Sequence, residues 1–239
     1  MGHELSKGTH LETMCGRFTN RLTWPEIVQL YRLTDKWLVS PHSNSPARYN
    51  IAPTQTAPVM RLMDGEREIA MLRWGLVPSW AKDIKIGSKM INARSEEAAF
   101  KPSFRAAWKS RRCLVIADGF YEWPEKSKPR FITLKDGEPF AFAGLWETWK
   151  QEDGRTVETF TILTTSANEF MAQVHDRMPV ILAEADWSKW LGEIPVTQDE
   201  LQALCSPFPS ERMTCWPVDK AVGNVKNDEP YLVEAIASD

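Results

Sequence analysis

Along most of this chain, apolar positions alternate with polar ones over short stretches instead of recurring at helical spacing. Nine segments carry that pattern: Val59–Leu62, Glu68–Trp74, Arg112–Ala117, Phe120–Trp123, Arg130–Leu134, Phe140–Gly144, Thr159–Thr164, Pro179–Leu182 and Met213–Val218. They are rich in β-branched and aromatic residues and predict strands. Turns such as Lys135-Asp136-Gly137-Glu138 and Glu152-Asp153-Gly154 join several of them. Strands linked by hairpin turns pair antiparallel.

Helical signals are few and short. Thr23-Trp24-Pro25-Glu26 reads as a capping box with Pro in the first turn, and Ile27, Leu30 and Tyr31 give its inward face. Ser95-Glu96-Glu97 opens a helix that Pro102 interrupts and Phe104, Ala107 and Trp108 resume. Asn168 to Val174 predicts a short helix before His175, Trp187, Trp190 and Leu191 mark another, and Thr197 to Glu200 caps a last one. The expected fold is α+β, a curved, barrel-like antiparallel β core with short peripheral helices. There is no internal repeat, and the Pro-rich stretch from Ser40 to Pro58 predicts a long ordered loop inside one domain. The expected organisation is an N-terminal extension or propeptide over residues 1–14 and one domain over 15–239.

Composition narrows the class. With 239 residues, 43% of them hydrophobic and 26% charged, the chain can bury a core. No run approaches a membrane span, and the first 13 residues lack the apolar region of a secretory signal. Four Cys are too few for a disulfide scaffold, so a reducing cytoplasm is the expected compartment. The net charge of −3 excludes a strongly basic binder but leaves room for a local basic groove. The 11 Trp residues point to core packing, or in part to stacking on bases or sugars.

No metal-ligand spacing and no phosphate-binding glycine loop is found, so neither metal nor cofactor is expected. The remaining candidates are polar residues in apolar company. Glu122, between Tyr121 and Trp123, is either a solvent-facing strand residue or a desolvated general acid/base with a raised pKa. His175, between a short helix and a strand, is either a satisfied structural histidine or a proton carrier. Asn92 and Arg94 precede a helix start, as a turn Asn and surface Arg or as an oriented amide and a phosphate-binding guanidinium. Cys15 follows Met14, so initiator removal at that methionine would leave a 1,2-aminothiol. Its amine and thiol can attack one aldehyde carbon in turn, closing a thiazolidine. A buried Cys inside an N-terminal strand is the alternative.

Seven motifs in order change the balance. They are Met14-Cys15-Gly16-Arg17-Phe18, Tyr49-Asn50-Ile51-Ala52-Pro53, Arg73-Trp74-Gly75-Leu76-Val77-Pro78-Ser79-Trp80, Ile91-Asn92-Ala93-Arg94-Ser95-Glu96, Ala117-Asp118-Gly119-Phe120-Tyr121-Glu122-Trp123, His175-Asp176-Arg177-Met178-Pro179 and Val222-Gly223-Asn224-Val225-Lys226-Asn227. From Met14 to about Val233 the chain closely resembles the SRAP family (SOS response-associated peptidase), the abasic-site crosslinking proteins. The resemblance implies a monomer that binds single-stranded DNA and forms a shielding thiazolidine crosslink through Cys15. It implies that Glu122 is the acid/base, that His175 helps open the deoxyribose ring, and that Asn92 holds the N-terminal amine. It also places Arg17, Arg94 and Arg177 on DNA phosphates, Trp80 and Trp123 in the DNA cleft, and Thr164 at the site's lining.

The 13 residues before Met14 depart from the pattern, because an acylated Cys15 nitrogen cannot form a Schiff base. Translation starts at Met14, or the segment is foreign to the protein, or the protein cuts the Met14–Cys15 bond itself with Cys15 as nucleophile and His175 or Glu122 as proton carrier. Two other functions compete: a thiol peptidase acting on other proteins, and a non-catalytic single-strand-binding module.

Overall fold

A computed structural model describes residues 15–33, 44–125 and 127–237. Its strands are β1 (Phe18–Asn20), β2 (Arg48–Ile51), β3 (Thr56–Met63), β4 (Glu66–Trp74), β5 (Asn92–Arg94), β6 (Arg112–Ala117), β7 (Gly119–Glu125), β8 (Lys128–Leu134), β9 (Phe140–Lys150), β10 (Thr156–Ser166), β11 (Arg177–Pro179), β12 (Ile181–Leu182) and β13 (Met213–Pro217). The helices are α1 (Trp24–Leu30), α2 (Ser95–Ala98), α3 (Arg105–Ser110), α4 (Trp187–Leu191) and α5 (Gln198–Ala203).

Five strands close a ring in the order β10-β4-β3-β6-β9 and back to β10. Four of its joints are antiparallel and the β10–β4 joint is parallel. Strand direction must return to itself around a ring, so the antiparallel joints are even in number. A ring of five therefore carries at least one parallel joint. β5 also runs parallel to β10, while β11 and β12 add antiparallel edges to β10 and β9. A second sheet, β13-β8-β7-β1-β2, is antiparallel throughout.

The α+β expectation of a barrel-like core with short helices holds. Period-two alternation sorts the two faces of β6: Cys113, Val115 and Ala117 join the core shared with the second sheet, whereas Leu114 and Ile116 join the core under the helices. Seven Trp residues (24, 74, 108, 146, 149, 187 and 190) are buried, which favours packing as their main role. Trp37 lies outside the described residues.

Several local expectations need correction. The 135–138 turn is not a hairpin: β8 and β9 lie in different sheets, and the turn carries the chain between them. The 152–154 turn does close a hairpin, with Lys150 opposite Thr156. The helix expected over 168–174 is a single 3-10 turn at Met171–Gln173, with Met171 N–H bonded to the Asn168 side chain. Residues 44–58 of the expected loop contain β2 and the start of β3, and residues 40–43 lie outside the described residues. β1, β2 and β5 escaped prediction because they span only 3, 4 and 3 residues and carry polar side chains. Among the described residues, no helix is long and apolar enough to cross a membrane, and no cluster of metal-ligating side chains occurs.

Candidate functional site

The site forms where the two sheets meet. β1 pairs with β7 through Phe18 opposite Phe120, and Tyr121 N–H donates to the Arg17 carbonyl at 3.0 Å. Asp118, at the passage from β6 to β7, fixes this register. It accepts from Thr19 Oγ1 and Arg21 Nε, both at 2.5 Å. Continuing upstream of β1 along β7, the chain brings the Cys15 N–H to Glu122 Oε1 at 2.6 Å. From the ring side, Asn92 Nδ2 lies 3.5 Å from the Cys15 carbonyl. Cys15 and Glu122 are both buried, so the Glu122 carboxylate does not face solvent.

Cys15 has a φ of 43°, in the left-handed region that non-glycine residues adopt at a cost of about 1–3 kcal/mol. Burial, and secondarily the charge of Glu122, push its thiol well above the ordinary range. The sulfur therefore rests as a neutral thiol, with a carboxylate nearby to take its proton. The Glu122 carboxylate thus accepts from the Cys15 nitrogen and lies close enough to the sulfur for its charge to act there.

A second cluster lies along the adjoining ladder. β5 and β11 flank β10, with Thr164 opposite Arg94 on one side and Pro179 on the other. Arg177 Nη2 donates to the Thr164 carbonyl at 2.7 Å, and its Nε lies 3.3 Å from Thr164 Oγ1. Glu96 accepts from both terminal nitrogens of Arg177, at 2.9 and 2.8 Å. The Arg177 backbone N–H donates to His175 Nδ1 at 3.0 Å, leaving Nε2 to carry the proton of the neutral ring. Asp176 Oδ1 stands 2.8 Å from the same Nδ1.

The remaining candidates are spread around these groups. Arg17 donates to Asn50 Oδ1 and to the carbonyls of Val222 and Gly223. Arg94 is exposed, 3.8 Å from Glu97. Trp80 is 58% exposed on the segment after β4, a free aromatic face. Trp123 is half-buried next to Glu122 in the chain, its ring 6.4 Å from that of Tyr121. The structure thus joins Cys15, Glu122 and Asn92 in one contact set and Thr164, Arg177 and His175 in another. The Arg94 backbone pairs with Thr164 in the second set while its side chain is exposed, and the side chains of Arg17, Trp80 and Trp123 bond to neither set through the contacts described.

Sequence reasoning missed Glu96, Asn50 and Asp228. The signal for Glu96 was its place two residues after Arg94. Asn50 and the segment before Asp228 stood in motifs to which no role was given.

The family model for SOS response associated peptidases matches residues 14–225. Abasic site processing protein YoqW of Bacillus subtilis (strain 168) is 42% identical over 226 residues, covering 93% of this chain and 100% of that protein. Abasic site processing protein YedK of Escherichia coli (strain K12) is 31% identical, with 93% of this chain and 100% of that protein covered. A crystal structure of a Bacteroides thetaiotaomicron protein superposes with a TM-score of 0.84 at 25% identity, covering 93% of this chain and 100% of the other.

Proposed function

The chain belongs to the SRAP (SOS response associated peptidase) family, and on that premise we propose that it processes abasic sites in single-stranded DNA by forming a thiazolidine crosslink through Cys15. The observation that carries this reading is the 2.6 Å contact between the Cys15 nitrogen and the buried Glu122 carboxylate. A free amine at that nitrogen would begin with its proton acceptor in place.

The sequence of steps follows from the groups present. The neutral amine adds to the C1′ aldehyde of the ring-opened deoxyribose. Glu122 returns a proton to the carbinolamine hydroxyl, and water leaves to give the iminium. The Cys15 thiol then adds to the same carbon, its proton passing to Glu122, and the nitrogen becomes a secondary amine. One water is lost overall. Raising the thiol pKa suits this order, because the amine reacts first and the sulfur is held neutral until an iminium faces it. His175 Nε2–H is the proton source for the ring oxygen as the sugar opens. A nucleotide without a base costs little to splay out of a stack.

The reaction requires Cys15 to be the first residue. The left-handed backbone at Cys15 and the carboxylate on its nitrogen favour cleavage of the Met14–Cys15 bond by the protein itself. In that step Sγ adds to the Met14 carbonyl as its proton passes to Glu122, the nitrogen leaves carrying that proton, and water hydrolyses the resulting thioester to the Met14 carboxylate and the free Cys15 thiol.

Intact mass before and after incubation with a single-stranded oligonucleotide carrying one abasic site tests both statements. The expected product is a chain beginning at Cys15 plus the oligonucleotide minus one water. Cys15→Ala should abolish the adduct while DNA binding persists. An adduct that survives Cys15→Ala, or none from a chain that begins at Cys15, overturns the reading.

A further inference from the structure

Two sequence motifs without an assigned task meet in the structure. Asn50, in β2, is fully buried, and its side chain spans four partners. Its Nδ2 donates to the carbonyls of Val222, Asn224 and Asn227 at 3.1, 3.1 and 2.7 Å, and its Oδ1 accepts from Arg17 Nη1 at 3.0 Å. The loop closes from its other end. Asp228 Oδ1 accepts from the Tyr49 and Asn50 N–H groups at 2.6 and 2.8 Å, and its Oδ2 pairs with Arg48. The 222–228 segment is thereby clasped onto β2.

The clasp determines what surrounds Arg17. Arg17 Nη1 also donates to the Val222 carbonyl at 2.6 Å, and Nη2 donates to the Gly223 carbonyl at 3.1 Å. Three of the five N–H groups of the guanidinium are thus used, and the two left are on Nε and Nη2. Those two nitrogens form one edge of the fork, the edge that grips two oxygens of a phosphate. All three acceptors are neutral. Among the described residues no carboxylate pairs with Arg17, whereas Arg177 faces Glu96 and Arg94 faces Glu97. A half-buried cation framed by neutral oxygens attracts an anion more strongly than one already paired.

We propose that the Asn50–Asp228 clasp is a positioning device that presents the free edge of Arg17 to a phosphodiester of the bound strand. Asn50 and Asp228 touch no DNA themselves and act through Arg17. The inference rests on the reading that this protein binds abasic single strands.

Single-turnover crosslinking over a range of DNA concentrations, with parallel equilibrium binding to the same single strand lacking the lesion, tests it. Asp228→Ala and the milder Asp228→Asn are compared with Arg17→Ala and with the Asp228→Ala/Arg17→Ala pair. Asp228→Ala should raise the half-saturating DNA concentration about tenfold, the scale of a lost charge-assisted hydrogen bond, with the maximal rate little changed. It should also reduce the salt slope of binding by about 0.7, one single-strand phosphate contact. In the Arg17→Ala background, Asp228→Ala should add nothing to either quantity.

An effect that adds to that of Arg17→Ala, or an unchanged salt slope, overturns the clasp as a positioning device and leaves a structural tether. Should Asp228→Ala not fold, the same two readouts on Asp228→Asn decide. If the wild-type protein binds DNA but forms no adduct, while the Asp228 variants still lose affinity and slope, the crosslinking reading falls and the clasp stands. If the adduct forms and the variants match wild type, the clasp alone falls. No DNA binding by the wild-type protein overturns both.

Discussion

Glu122 is asked to accept a proton and to give one back. A buried carboxylate can do both only if its partner is fixed, and the 2.6 Å bond from the Cys15 nitrogen supplies that. Glu122→Gln keeps the shape and one acceptor but removes the proton carrier. Under the proposed chemistry, single-turnover crosslinking should slow by about 10²–10³-fold, with a far smaller change in DNA affinity. A loss below about threefold would remove Glu122 from the proton path. Glu96 acts at one remove, through Arg177. Burial, the largest single influence, pushes its carboxyl up, but the Arg177 hydrogen bonds, a backbone hydrogen bond and the charges of Arg177 and Arg94 together hold it below its usual 4.5. A lowered carboxyl pKa contributes stability above the unfolded value and loses it as pH falls through the folded one. Glu96→Gln should therefore lower stability in thermal unfolding at neutral pH by less than about 1 kcal/mol, since the side chain is half-exposed, and the deficit should disappear as pH falls through the lowered carboxyl pKa. A deficit that persists below that pKa would assign the loss to packing. Cys15, Glu122 and Asn92 were legible only as candidates, each with a bland alternative, until the order of the seven motifs set them together. Glu96 was not, since an acidic residue in the first turn of a helix already has a reason to be there. Nor was the clasp, whose two members are 178 residues apart in the chain.

At the scale of elements, the seat of β5 decides whether Asn92 reaches Cys15. Its approach is set by two glycines. A Cβ on Gly87 would meet the Gly75 carbonyl oxygen at 2.5 Å, and one on Gly75, at φ +117°, would meet the Gly87 carbonyl at 2.6 Å. This crossing lets Leu76 N–H bond to Met90 O at 3.1 Å and Trp74 Nε1 bond to Ile91 O at 2.9 Å. Ile91 and Asn92 are thereby delivered to β10. Gly87→Ala forces two backbones apart, so it should cost about 1–3 kcal/mol and displace Asn92 with β5. Thermal unfolding and the crosslinking rate check this, and a variant with unchanged Tm would mean that the turn shifts freely. The same element explains the limits of pattern reading. Long strands such as β6 and β10 alternate between two apolar cores and betray themselves. β5 is three residues long, with only Ala93 buried, and its hydrogen bonds are to a strand some 70 residues away. The 135–138 turn carried a hairpin's sequence into a crossover, because Asp-Gly fixes the bend and not the sheet that the next strand joins.

For the whole molecule, closure of a five-strand ring creates one joint unlike the others. β4 and β10 run parallel but pair over only two positions, Arg73 opposite Thr159 and Trp74 opposite Phe160. Side chains reinforce that seam. Arg61 on β3 bonds Glu68 on β4 at 2.6 Å and Glu158 on β10 at 2.7 Å, and its guanidinium lies 4.2 Å from the centre of the Trp146 ring on β9. One side chain thus touches three other strands of the ring and spans its parallel joint. Arg61→Met keeps most of the apolar stem but leaves two carboxylates facing each other across the seam. Both are partly exposed, 28% for Glu68 and 36% for Glu158, so water offsets part of the cost. A loss of about 2–3 kcal/mol is expected, read as a lower urea midpoint at constant slope. Adding Glu158→Gln should recover part of it, because the penalty then arises from one unpaired carboxylate instead of two. Two results would reassign the seam's strength to its short backbone ladder: a shift in Arg61→Met under about 0.5 kcal/mol, or no recovery in the double variant.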